Sequence, residues 1–529
     1  MKKRNYNIIR KDDKLENTIN KISKIAKQNR IKIRKCKTKS INHIFYSSRL
    51  ELNKFYNLGV NGKGLSKKAA LASAYGELME RIQTGFLINN SYLSKEKNTT
   101  NFKDESAKDL NTVKFDYNTF FESNNYKEFI KRAKNFNVVS NFTNFFNNEN
   151  KLLPIKLINA VTHTNGLCAG NSREEALCQG ICEILERYCY HEIIFRKIKL
   201  KNVSINQNEY IYSKIKEIEH LGYEIEIKDC TLEIFPVIGV LIKNNIKNSY
   251  LFTMAADTNI NIAIQRCLTE LFQGLSSKKY INKKMKLINN NYNMLSKEEL
   301  EINWFKCYNS NNGIHPMEIF NSNEIIDYLK LPFDNNDHDN KDSLAFLTNL
   351  LLNNNYNIYY KEYSQLNFNS YRIYIPGLSE IDKIKEYEYN FLINKDSIEK
   401  IIFNLKNASE KDIKFILNNI KNVYNKSKYK MMDCGTIFHS KHYINTNLNN
   451  ISLETLYILL SLKINKNVKH NNHAIKNYIN NISNKDKFNY ITKKCNIIFP
   501  TCPQCSECPL KKQCKFKEWK NLNNKIQKK

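Results

Sequence analysis

The apolar positions of this chain change period several times, and each change marks an element. Residues 13–29 place Leu15, Ile19, Ile22 and Ile25 three or four apart, which predicts an amphipathic opening helix. "RIKIRKCK" (Arg30–Lys37) and "HIFYSSRL" (His43–Leu50) read as strands. The turn "NGKGLSKK" (Asn61–Lys68) then launches a helix of small residues, "AALASAYGELMER". Residues 89–152 are polar and Asn-rich and read as an insertion or peripheral element. "LLPIKLINAVTHT" (Leu152–Thr164) reads as a strand leading into a second turn–helix unit, "NGLCAGNSREEALCQGICEILERYCYHEI".

Beyond Arg187, helical and strand periods alternate through "EYIYSKIKEIEHLGYEIEIKDC", "IFPVIGVLIKN" and "YLFTMAADT". Residues 277–340 are polar. A further helix and strand follow in "AFLTNLLLNNNYNIYYKEYS", and then comes the strand "YRIYIPGL". This order predicts an α+β fold with mixed sheets flanked by helices. From about 385 to 490 the pattern is helical, and the chain then ends in a cysteine-rich tail. The expected division is residues 1–395 as a catalytic domain, 396–490 as a helical region and 491–529 as a small metal-binding tail.

The bulk numbers change this picture little. At 529 residues, 41% hydrophobic, the chain can bury a large core. Its formal charge of +31 favours acidic partners, among them nucleotides, nucleic acid and ribosomal surfaces. The Lys, Asn and Ile excess nevertheless runs through loops such as "INKKMKLINNNYNML", so the charge reads mainly as a whole-chain bias. The first residues are basic but lack an apolar core, which disfavours a signal peptide. "LYILLSL" (Leu456–Leu462) is too short to span a bilayer. A cytoplasmic protein without membrane attachment is expected.

Chemistry concentrates on the two small-residue helices. Ser73, Glu77, Glu80 and Arg81 follow one another at helical spacings, and so do Glu175, Gln179, Glu183, Glu186 and Arg187. A single Glu-x-x-Glu-Arg is usually a solvated helix face. Two copies, each after a Gly-containing turn and within an Ala- or Cys-rich helix, argue for a shared purpose. Carboxylates brought together repel unless a hard divalent cation such as Mg²⁺ compensates, and Mg²⁺ is commonly shared with phosphates. Arginines beside them can clamp phosphate oxygens, and the Gly170–Asn171 turn before a helix suits an anion. A third polar face carries Arg266, Glu270 and Gln273. No P-loop is present, so a nucleotide site here is of a non-Walker kind.

Together these motifs resemble the YcaO superfamily, and most nearly its subgroup from enteric bacteria. The resemblance rests on "NGKGLSKKAALASAYGELMER", "NGLCAGNSREEALCQGICEILERY", "IAIQRCLTELFQG" and "YRIYIPGLSEI", with "KDDKLENTI" matching the opening helix. It covers roughly residues 9–400. It implies ATP and Mg²⁺ as cofactors. Lys11, Thr18, Ser73, Asn171, Glu175, Arg187, Arg266 and Arg372 would then serve ATP, with Thr18 standing where the family has serine. Glu77, Glu80, Glu183 and Glu186 would hold Mg²⁺, and Arg187 and Arg266 would act in catalysis. Arg81 and Arg372 are the weaker assignments, as structural support.

The resemblance implies phosphoryl transfer to an amide oxygen, after which a sulfur, thiol or hydroxyl nucleophile adds to the activated carbon. The enteric subgroup is associated with β-methylthiolation of an aspartate in ribosomal protein S12, beside a radical-SAM methylthiotransferase. This chain lacks the Cys-x3-Cys-x2-Cys run of a radical-SAM enzyme and would assist that step. It also ends in "NNKIQKK" rather than in the Pro-rich tail of azoline-forming members. Thioamide or azoline formation in a peptide stays open, as does a ribosome- or nucleic-acid-binding adaptor without turnover. A homodimer is the expected assembly.

Five of the fourteen cysteines crowd the tail. Cys502, Cys505, Cys508 and Cys514, with Cys495 upstream, have a thiolate density that suits Zn²⁺ or a [4Fe–4S] cluster. "CSECPLKKQC" is similar to the end of the iron–sulfur loop of endonuclease III and MutY, although the spacing departs from that pattern. Unligated cysteines are the plainer alternative.

Overall fold

The computed structural model describes residues 10–53, 58–86, 102–205, 210–288, 291–310, 312–334, 339–402, 408–430, 432, 434–438 and 452–464. Its architecture is mixed α/β, with three sheets and a helical C-terminal region. In the first sheet Phe45–Asn53 pairs antiparallel with Arg34–Lys35, Lys39–Ile41 and Leu58–Gly64. The second runs in the order Lys286–Leu287, Ser249–Ala256, Val237–Asn244, Glu224–Asp229, Asn202–Ser204, Ile325–Asp327, and only its last pair is parallel. The third runs Glu105–Ala107, Val138–Asn144, Tyr359–Glu362, Asn369–Tyr374, Leu167–Gly170, with Asn150–Leu153 also paired to Val138–Asn144.

Two helices join these layers. Lys67–Gln83, the first carboxylate helix, lies on the first sheet and against Leu167–Gly170 of the third. Arg173–Arg196, the second, lies between Asn369–Tyr374 of the third sheet and Ser249–Ala256 of the second. Gly180 permits this approach, because a Cβ there would stand 2.7 Å from Ile373 Cδ1 and 2.8 Å from Cys168 Sγ. Burial from both sides explains why this helix lacks a single apolar stripe: Ala176, Ile181, Ile184, Leu185, Cys189 and Ile193 are buried around its circumference.

Two sequence expectations need correction. Leu152–Thr164 is a strand only at its start, because Ile155–Thr162 is a helix. Pro154 suits the helix entrance, and Ile155, Leu157, Ile158 and Val161 bury one face. The part of 89–152 that is described is also no periphery. It supplies three strands of the third sheet, and Phe120, Phe129 and Phe142 are fully buried.

In the C-terminal region, the helices Tyr389–Ile402, Glu410–Ile420 and Leu453–Ile464 gather around Phe391, Ile398, Ile416, Phe438 and Leu456. Tyr389–Ile402 runs across residue 395, so a boundary there would cut a helix. Lys428 fastens this region to the preceding domain, with its ammonium 2.5 Å from Asp382 Oδ2 and 3.1 Å from Glu388 Oε1. Tyr429 donates to the same Glu388 oxygen at 2.7 Å. Among the described residues, no helix is long and apolar enough to cross a membrane.

Candidate nucleotide site

Both carboxylate helices start by the same device. Ser66 has extended backbone, and its hydroxyl accepts the Ala69 N–H at 3.1 Å. Ser172 does the same for the Glu175 N–H at 3.0 Å. Such caps satisfy donors that the first helical turn leaves without partners. In front of each cap, a glycine strand presses on the helix it feeds. A Cβ on Gly62 would fall 2.1 Å from Ala70 O and 2.2 Å from Ala74 N, and one on Gly170 would fall 2.7 Å from Ala176 N. Glycine in the strand and alanine in the helix are therefore one packing requirement. The result is two helices aimed at the same space.

That space is a cleft of about 470 Å³, within the range of small-molecule sites. Ser73, Glu77 and Glu80 line it from the first helix, and Glu175, Glu183, Glu186 and Arg187 line it from the second. Gln179 also faces it. Burial pushes the Glu80 carboxyl up to about 8, and the charges of Glu183 and Glu77 push the same way against Arg81 and Arg372. Glu77 and Glu183 are also raised, chiefly by burial. Arg81 braces the first pair, with Nε 3.4 Å from Glu80 and 3.8 Å from Glu77. Among the described residues, no three acidic, His or Cys groups stand close enough to hold a metal by themselves. This donor set is rich in oxygen, mutually repelling and incompletely closed. It fits Mg²⁺, which completes its shell with phosphate and water oxygens.

The segment Arg10–Asp12 straps the mouth of the cleft. Lys11 Nζ donates to Glu175 Oε1 at 2.8 Å, and the Asp12 N–H donates to Glu175 Oε2 at 3.0 Å. Asn171 Nδ2 reaches the same carboxylate at 3.0 Å, while Asn171 Oδ1 accepts from Thr18 Oγ1 at 2.9 Å. Glu175 is thus occupied by protein donors on both oxygens. Arg10, which carried no signal in the sequence, donates to Ser343 Oγ at 2.5 Å and to Asp257 at 3.4 Å, and also contacts Thr258.

The helix Ile260–Leu271 closes the third side, capped by Asn259, with Ile264 and Leu268 buried and Arg266 and Glu270 lining the cleft. Gln273, just past its end, lines it too. Arg266 stands 3.8 Å from Asp257. Lys63, read as part of a turn from the sequence but placed on the strand Leu58–Gly64, also reaches in and contacts Glu270. Burial, with Arg266 and Arg187 nearby, draws its ammonium down to about 8, while Glu186 and Glu183 oppose. Lys63 and Asp257 are site residues that motif spacing did not single out.

Arg187 donates through Nη1 to the Tyr308 carbonyl at 3.2 Å, and its guanidinium lies 4.8 Å from the Tyr308 ring centre. Arg187 Nε and Arg81 Nη1 are buried without a hydrogen-bond partner. Arg372 does not line the cleft. It is fully buried behind Glu80 and Arg81, and it donates to Thr162 Oγ1 and His163 O, each at 2.8 Å. Its guanidinium is taken up by the segment Thr162–Asn165. Cys495, Cys502, Cys505, Cys508 and Cys514 lie outside the described residues. The nine described cysteines form no disulfide, and all but Cys36 are buried.

A family model described as YcaO cyclodehydratase, ATP- and Mg²⁺-binding, matches residues 61–379. An uncharacterized protein of Haemophilus influenzae is 26% identical over 350 residues, covering 61% of this chain and 57% of that protein. The Escherichia coli protein named ribosomal protein S12 methylthiotransferase accessory factor YcaO is 24% identical over 346 residues, with the same two coverages. The chain therefore spans a little over half the length of these relatives. The solved structure of YcaO from Methanopyrus kandleri bound with AMPPCP and Mg²⁺ is 15% identical, with a TM-score of 0.48, covering 70% of this chain and 93% of that one.

Proposed function

The chain belongs to the YcaO cyclodehydratase family of ATP- and Mg²⁺-binding proteins, and from that membership we propose that it uses ATP to activate an amide of a peptide or ribosomal protein. The domain is an ATP- and Mg²⁺-dependent catalytic one. The observation that carries the reading is the convergence of both Glu-x-x-Glu-Arg faces on one cleft.

Glu77, Glu80, Glu183 and Glu186 would hold Mg²⁺, which supplies charge neutralisation among carboxylate and phosphate oxygens. Ser73 and Asn171 present short polar groups to the same cleft, one from each helix unit. Arg187 and Arg266 offer guanidinium donors for charge that develops as the phosphoryl group moves. In that reaction the amide oxygen attacks the γ-phosphorus while the bond to the β-phosphate oxygen breaks. A sulfur, thiol or hydroxyl nucleophile then adds to the carbon, and the former amide oxygen leaves with the phosphate. Lys11 and Thr18 hold the strap and the opening helix against Glu175 and Asn171. Arg372 supports Glu80 from behind.

The finer reading is assistance to β-methylthiolation of ribosomal protein S12, in partnership with a radical-SAM methylthiotransferase. What supports it is the similarity to the E. coli accessory factor over 61% of this chain. Peptide mass spectrometry of S12 from the native organism, with and without this gene, tests it. Loss of the methylthio mass in the deletion strain is the expected result. An unchanged mass overturns the S12 assignment and leaves other peptide amides as the substrate class.

A further inference from the structure

We propose that Tyr308 is a positioning residue for Arg187, its ring and backbone carbonyl fixing the guanidinium so that the remaining donors serve the phosphates of the nucleotide. The proposal deepens the nucleotide-site reading above and rests on it. Tyr308 belongs to the helix Lys297–Ser310, within a stretch whose polar sequence gave no functional signal.

The geometry singles out Arg187. Its neighbour in the other motif copy, Arg81, leans on Glu77 and Glu80. Among the described residues, Arg187 pairs with no carboxylate. It has instead one hydrogen bond, from Nη1 to Tyr308 O at 3.2 Å, and one face on the Tyr308 ring at 4.8 Å. Its Nε is buried without a partner. A guanidinium stacked on an aromatic face loses rotational freedom while its unshared donors stay in one plane.

The helix that brings Tyr308 is itself fixed to the second carboxylate helix. Trp304, one turn earlier, meets Tyr190 edge-on at 5.8 Å, and its Nε1 donates to Ile381 O at 3.3 Å. Glu183 and Glu186 on the arginine's own helix attract the guanidinium, but among the described residues neither forms an ion pair with it. A placement error near 1 Å at such a group costs on the order of a hundredfold in rate.

Ordinary packing would give the same stack, so the test must read coupling. Dissociation constants for MgATP and for AMP are measured by calorimetry on the full chain. The proteins are wild type, Tyr308→Leu, Tyr308→Phe, Arg187→Lys and the Leu/Lys double variant, with melting temperatures recorded for each. Tyr308→Leu, which removes the ring and leaves the carbonyl, is expected to weaken MgATP by roughly tenfold, the worth of one buried cation–π contact, and to weaken AMP far less. Tyr308→Phe, which keeps the ring, is expected to recover most of the loss, the backbone carbonyl being present in every variant. In the Arg187→Lys background Tyr308→Leu should add almost nothing. Should Tyr308→Leu not fold, Tyr308→Met removes the aromatic face with more of the volume kept. Additive losses in the double variant, or equal losses for Leu and Phe, overturn the proposal. Failure of the wild type to bind MgATP overturns the nucleotide-site reading itself, and this proposal with it.

Discussion

Lys11 Nζ and Glu175 Oε1 meet at 2.8 Å across the mouth of the cleft, joining the start of the described chain to the first turn of the second carboxylate helix. The carboxylate is buried and its lysine only half so. A helix N-terminus favours a negative group, so Glu175 is a stable anchor and Lys11 the movable part. Lys11→Met should therefore loosen the strap without unfolding the domain. Nucleotide affinity is expected to fall by roughly tenfold, the worth of one charge-assisted hydrogen bond. Competition binding with a fluorescent nucleotide measures it, and an unchanged affinity would separate the strap from the site.

Glu80 links stability to pH. Its folded value near 8 lies above its ordinary 4.5, mainly through burial. The folded, metal-free protein thus holds a proton that the unfolded chain has released between those values. Stability on Glu80's account is full at low pH and falls as pH rises from about 4.5 through about 8. Glu80→Gln should flatten this slope and raise the melting temperature at pH 8 while abolishing Mg²⁺-nucleotide binding. Thermal melts from pH 5 to 8.5 on the metal-free protein check the direction.

The same proton must leave when a cation binds. Mg²⁺-nucleotide affinity should rise from pH 6 to 8 and then level off. Calorimetry in two buffers of different ionisation enthalpy should report net proton release. Proton uptake would show that the raised carboxyls are not the ligands.

The glycines give a structural contrast. Gly62→Ala forces a methyl against Ala70 O and Ala74 N, so it should cost about 1–3 kcal/mol by overpacking and displace the first carboxylate helix. Gly76, on the same helix, has nothing within 4 Å of a Cβ. Gly76→Ala should stabilise the fold by up to about 1 kcal/mol through helix propensity. Because Gly76 also lines the cleft, that variant should weaken nucleotide binding. Chemical denaturation curves distinguish the two.

Lys428 tests the C-terminal fastening. Removing its charge leaves Asp382 and Glu388 buried without a paired cation, Glu388 keeping only the Tyr429 hydroxyl and the Lys385 N–H, so Lys428→Met should destabilise by about 3–5 kcal/mol. A loss below 1 kcal/mol in urea denaturation would mean that the apolar helix cluster alone holds the region in place.

Much of the site could be read in the sequence because the requirement repeats. Gly, Ser cap, small-residue helix and Glu-x-x-Glu-Arg recur in the same order, and each has a local physical cause. Ser73, Glu77, Glu80, Glu183, Glu186, Arg187 and Arg266 accordingly meet at one cleft. What stayed hidden depends on distant packing. Arg10 finds Ser343 and Asp257 only in the fold, and Tyr308 reaches Arg187 on a helix whose own pattern is unremarkable. Leu152–Thr164 misled because its apolar run suits a strand or a short helix equally, and the entrance at Pro154 decided the matter. Arg372 matches a motif position either as a nucleotide group or as structural support, and it is fully buried and does not line the cleft.

The central claim is that the two carboxylate helices form one Mg²⁺-nucleotide site, and a calorimetric titration of ATP tests it most directly. Wild type, Glu80→Gln and Glu183→Gln would each be titrated with and without Mg²⁺. The expected result is tight binding by the wild type only when Mg²⁺ is present, and a loss of at least tenfold in each variant, whichever helix carries the change. Wild-type binding that ignores Mg²⁺, or a variant on either helix that binds like the wild type, would contradict it.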